Sequence, residues 1–63
     1  DTNFDQLHNG NEAFNNGEYE VAINIYTKLL TEYGKTDSLY FNLANSYAQL
    51  DKPGMAILFY NKG

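Results

Sequence analysis

The chain repeats itself at a shift of 34 residues. Laying residues 1–29 over 35–63 matches Thr2 with Thr36, Asn11 with Asn45, Ala22 with Ala56, Ile23 with Ile57, Tyr26 with Tyr60 and Lys28 with Lys62. Leu7/Phe41, Gly10/Ala44, Val21/Met55 and Ile25/Phe59 agree in character. Four of the six identities fall within residues 22–28, and the similar pairs share their apolar phase. A period of this length marks a supersecondary unit that cannot bury its apolar face alone, so successive units must stack.

Within each unit the apolar spacing is helical. Residues 3–16 carry Phe4, Leu7, Gly10, Ala13 and Phe14, and Asn15-Asn16-Gly17 predicts a stop, because glycine accepts the left-handed conformation at a helix end. Residues 18–33 carry the clearest stripe: Val21, Ala22, Ile25, Tyr26, Leu29, Leu30 and Tyr33. Gly34-Lys35-Thr36-Asp37 predicts a break, with Asp37 or Ser38 as the cap of the next helix. Residues 38–50 carry Leu39, Tyr40, Leu43, Ala44, Tyr47 and Leu50; after Asp51-Lys52, Pro53 suits the first turn of a last helix over 53–62. The small residues Gly10, Ala22, Ala44 and Ala56 mark close helix crossings. The expected core is Ala22, Ile25, Tyr26, Leu29, Leu43, Ala44, Tyr47, Ala56 and Tyr60.

Composition narrows the function. Eight acidic against four basic side chains, net −4, argue against nucleic acid or anionic lipid as partner. With no cysteine and one histidine, neither a thiolate cluster nor a zinc site is expected, and no cofactor. No apolar stretch approaches the roughly 20 residues that cross a bilayer. The first residues show no basic segment leading into an apolar one, so no signal peptide is read in them. His8 has no nucleophile to serve, and the carboxylates are scattered without a general acid/base pair or a calcium loop. Gly10 to Gly17 lacks the Gly-Lys-Ser/Thr of a phosphate loop. Most of the aromatic rings are expected on the buried stripes. No catalysis is expected.

The 34-residue helix–turn–helix unit, with Gly10/Ala44, Ala22/Ala56, Tyr26/Tyr60 and the Gly-Asn-x-x-Phe-x-x-Gly-x-Tyr string at residues 10–19, resembles the tetratricopeptide repeat. The resemblance divides the chain into one repeat over residues 3–36 and a second, shortened one over 37–63. It departs from the family pattern at Gln6 and Asn9, where large apolar residues are usual, at Leu29 and at Gly34. The implied fold is all-α, about four helices in two hairpins stacked as a fragment of a right-handed superhelix. The run from Ser38 to Tyr47, followed by Ala56-Ile57-Leu58-Phe59-Tyr60, is similar to segments of bacterial aerotolerance-operon proteins of the BatE type, which implies a periplasmic or cell-envelope setting.

In this family the first helix of each repeat lines a concave groove. The implied lining is Phe4, Leu7, His8, Asn11, Phe14 and Asn15, then Ser38, Phe41, Asn42, Asn45, Ala48 and Gln49. Of these, Leu7, His8, Asn11, Phe41, Asn42 and Asn45 are expected to touch a bound extended peptide. Asparagine carries both a donor and an acceptor, so it can hold a peptide backbone with little regard for side chains. Asn11 and Asn42 match two members of the clamp by which co-chaperone repeats hold a C-terminal carboxylate. Leu7 stands where its first lysine belongs, so carboxylate-tail binding is not expected.

Protein or peptide interaction is therefore the expected function. The alternatives are self-assembly of the repeats and an accessory role in a longer envelope protein. Fewer than two full units usually cannot cover their own apolar faces. The isolated chain is expected to be marginally stable or a homo-oligomer, by end-to-end stacking or by exchange of the last helix across Asp51–Pro53. Light scattering over a wide concentration range reads this as a mass that rises with concentration.

Overall fold

The structure, a computed structural model, describes residues 3–34 and 37–62, with side chains over 6–34 and 37–61. Four helices account for it: α1 (Asn3–Asn15), α2 (Tyr19–Tyr33), α3 (Asp37–Gln49) and α4 (Pro53–Lys62), with no strand among the described residues. Each helix packs on its neighbours in the chain, α1 on α2, α2 on α3 and α3 on α4.

The two hairpin turns are built alike. After α1, the Glu18 N–H donates to the Ala13 carbonyl at 2.9 Å and the Gly17 N–H to Phe14 at 3.0 Å. After α3, Lys52 donates to Tyr47 at 3.0 Å and Asp51 to Ala48 at 3.1 Å. This double closure requires a left-handed residue one place past the helix, where Gly17 has φ +82° and Asp51 has φ +59°. Aspartate is among the few non-glycine residues that tolerate that region. The sequence marks the first stop by its glycine and gives no such sign at Asp51. Gly34, at φ +97° and ψ 177°, ends α2 in a conformation reserved for glycine. Asp37 and Ser38 lie inside the first turn of α3 rather than capping it; Lys35 and Thr36 fall outside the described residues.

The core is Ala13, Ala22, Ile23, Tyr26, Leu29, Leu39 and Leu43, with Tyr40, Ala44, Ser46 and Ala56 also buried. Of the expected core, Ile25 and Tyr47 are only half-buried but pack against it. Tyr60 is not core: it is 43% exposed, because no described element covers the outer side of α4. The rings divide more evenly than expected. Tyr26 and Tyr40 are buried, Phe14, Tyr19, Tyr47 and Phe59 partly so, and Tyr33, Phe41 and Tyr60 exposed. Ala13, Leu39 and Tyr40 lie on the apolar stripes read from the sequence, outside the short list of expected core positions, and are buried; Ile23 and Ser46 lie off those stripes and are buried too. Ser46 is satisfied there by donating from Oγ to the Asn42 carbonyl at 2.9 Å, one turn back.

The α1–α2 crossing is closed by a missing side chain. A Cβ built on Gly10 would stand 2.8 Å from Cε1 of Tyr26 and 3.2 Å from Cγ2 of Ile25. Tyr26 is 1% exposed, so its ring has nowhere to retreat. Gly10→Ala would gain about 1 kcal/mol of helix propensity but overpack the crossing by roughly 1–3 kcal/mol. The expected outcome is a net loss of about 1 kcal/mol and a lower melting temperature in calorimetry. Ala22 is fully buried, and Ala22→Leu is expected to cost roughly 1–3 kcal/mol for the same reason. Unchanged thermal stability in both variants would contradict this packing.

Candidate functional site

Positions three and four apart lie on one face of a helix. Asn11, Phe14 and Asn15 thus share a face of α1, and Asn42 and Asn45 a face of α3. These five residues, with Tyr26 of α2, line a groove of about 300 Å³ between the first helices of the two hairpins. No ionisable side chain other than the tyrosine hydroxyl is among its lining residues.

The asparagines are not free-standing. The Tyr26 hydroxyl donates to Oδ1 of Asn11 at 2.5 Å, and the Tyr60 hydroxyl donates to Oδ1 of Asn45. The two bonds are equivalent under the 34-residue shift, each joining the first helix of a hairpin to the second. They tie up amide oxygens, and each amide nitrogen retains two N–H donors. Burial pushes the Tyr26 hydroxyl up from its ordinary pKa, so it stays a donor through the neutral and mildly alkaline range.

The six site residues expected from sequence separate. Asn11, Asn42 and Asn45 meet in this groove. Leu7 is half-buried and packs against the core, and His8 is exposed; neither is among the groove's lining residues. Phe41 lines a second hollow of about 350 Å³ with Asp37, Ser38, Phe59 and Tyr60, its ring 5.9 Å from that of Tyr60. Phe4 has no described side chain. The sequence reading missed Tyr26 as a groove residue, although the spacing held a sign of it. Asn11 and Tyr26 are 15 residues apart, as are Asn45 and Tyr60.

Among the described residues no group of histidine, cysteine, aspartate and glutamate could hold a metal, and no helix is long and apolar enough to cross a membrane. Residues 37–63 match the family model of the tetratricopeptide repeat. The α3–α4 hairpin is therefore similar to a repeat of that kind, and such repeats generally mediate protein–protein interactions. No curated protein and no solved structure matches the chain.

Tyr26 makes the site testable by pH. A tyrosine with a raised folded-state pKa binds its proton more tightly when folded. Its contribution is complete below the unfolded value near 10 and is lost as pH climbs toward the folded value. Urea unfolding is expected to show stability falling above about pH 10, with a shallower fall in Tyr26→Phe. That variant should also lose about 1 kcal/mol at neutral pH with the Asn11 bond. An alkaline limb that is identical in the two proteins would remove Tyr26 as its source.

Proposed function

We propose that the chain is a non-enzymatic interaction module whose groove between α1 and α3 holds an extended, uncharged peptide segment. The observation that carries this reading is the cluster of Asn11, Asn15, Asn42 and Asn45 around Tyr26, with no acid or base in the lining. Two of the four amide oxygens are occupied by tyrosine hydroxyls, so Asn11 and Asn45 meet a ligand chiefly as donors. Backbone carbonyls of an extended chain are their natural partners. Leu7, His8 and Phe41 extend the proposed contact beyond the groove's ends. The two repeats over residues 3–36 and 37–63 act as one unit in this reading, because the lining comes from both. The BatE-like run from Ser38 to Tyr47 supports an envelope-associated parent as its setting.

A second reading, self-assembly on copies of the chain, draws on the exposed apolar residues Met55, Ile57, Leu58 and Tyr60 of α4. A mass that rises with concentration while the asparagine groove stays open to peptides would support both readings together.

Selection from an unbiased library of extended peptides, followed by chemical-shift mapping, tests the groove. Bound peptides should shift Asn11, Asn15, Asn42 and Asn45, and Asn42→Ala should weaken binding about fivefold, the worth of one hydrogen bond. Raising the salt concentration from low to physiological should change affinity by less than about twofold, since the lining is uncharged. A footprint confined to Glu20, Asn24 and Thr27 would sink the assignment.

A further inference from the structure

The dipeptide Asn-Gly occurs twice, at Asn9-Gly10 and at Asn16-Gly17. Glycine has no Cβ, so its backbone nitrogen can approach the side-chain amide of the asparagine before it with little hindrance. Local sequence makes the two pairs alike, and both asparagines are exposed. The fold makes them unequal. Asn9 lies in the middle of α1, and Gly10 is buried at the crossing with Tyr26 and Ile25 of α2. A helical backbone keeps the Gly10 N–H in the hydrogen-bond ladder and turned away from the Asn9 amide. Asn16 lies one residue past α1, and a single 3.0 Å bond to the Phe14 carbonyl holds the Gly17 N–H. Gly17 is exposed at φ +82°, and nothing stands within 4 Å of where its Cβ would be. Freeing its nitrogen opens one surface turn, whereas freeing that of Gly10 unfolds α1 from α2.

We propose that Asn16 is a covalent modification site, converting through a cyclic imide to aspartate and isoaspartate while the fold preserves Asn9. The Gly17 backbone nitrogen attacks Cγ of Asn16. The N–Cγ bond forms, the Cγ–Nδ2 bond breaks, and the proton given up by the Gly17 nitrogen leaves with the amide as ammonia. Water then opens the ring. Attack at Cγ gives aspartate, and attack at the main-chain carbonyl of Asn16 gives isoaspartate. Either product adds one negative charge, and isoaspartate also inserts a methylene into the main chain. That methylene falls within the turn closed by the Gly17–Phe14 and Glu18–Ala13 hydrogen bonds, so it loosens the seating of α1 on α2. The equivalent turn of the second hairpin carries Leu50-Asp51, which has no amide to lose.

The test holds the full chain at mildly alkaline pH, folded in one sample and unfolded in urea in another. Mass spectrometry with fragmentation locates each amide lost and separates aspartate from isoaspartate. In urea, Asn9 and Asn16 should convert at rates within about threefold of each other, since glycine follows both. In the folded chain, Asn16 should convert at least about tenfold faster than Asn9. Asn16→Ser should leave the folded chain unmodified at that turn. The separated isoaspartyl form should melt below Asn16→Asp, which carries the charge without the extra methylene. Three results would overturn the proposal. They are conversion at Asn9 as fast as at Asn16 in the folded chain, an intact folded Asn16 while the unfolded chain converts, and aspartate formed without isoaspartate. Equal melting of the isoaspartyl form and Asn16→Asp would overturn its link to the turn.

Discussion

Tyr26 holds the molecule together. Its ring lies against the bare backbone of Gly10 on α1, its body is buried in the cluster that joins α2 to Leu39 and Leu43 of α3, and its hydroxyl is bonded to Asn11. Three helices therefore meet on one side chain. An aromatic ring supplies a large apolar area, and its hydroxyl needs a partner once the ring is buried. Asn11 meets that need, and its amide is thereby fixed at the rim of the groove. Packing and site are consequences of the same contact.

The groove inherits its character from this arrangement. Asparagine in a helix interior costs roughly half a kcal/mol in propensity, so its use at Asn11 and Asn45 calls for a local return. The tyrosine bonds are that return, and they are structural. The asparagine at Asn42 has a different support: its carbonyl accepts from the buried Ser46 hydroxyl, which fixes the backbone beneath the groove. A lining of oriented amides without formal charge favours geometry over long-range attraction. The chain's negative charge lies elsewhere.

The two hairpins are equivalent in their backbone and unequal in their surroundings. Turn hydrogen bonds, the left-handed residues Gly17 and Asp51, and the tyrosine–asparagine bonds recur at the same spacing. Gly10 becomes Ala44, which is fully buried. Phe59 takes the place of Ile25, and its ring stacks on Tyr47 at 5.6 Å with an interplanar angle of 3°. The second hairpin is closed by stacked rings where the first is closed by a ring on backbone.

The sequence by itself determined the four helices, to within a residue or two at each end, together with the turns at Gly17 and Pro53 and the burial of Ala22, Tyr26, Leu29, Leu43, Ala44 and Ala56. These follow from local rules: apolar spacing, glycine and proline at helix ends, and small residues at crossings. Periodicity assigns a residue to a face of its helix, but it does not say what stands opposite that face. Tyr60 shares Tyr26's phase and is exposed, because burial depends on a neighbouring helix and not on the residue's own stripe. Leu7 and His8 stand three or four positions from Asn11, and Phe41 four from Asn45, yet none of the three is among the residues that line the groove between α1 and α3. The pairing of Asn11 with Tyr26, and of Asn45 with Tyr60, joins residues far apart along the chain. Only the packing of each hairpin decided that their amides would be held in place.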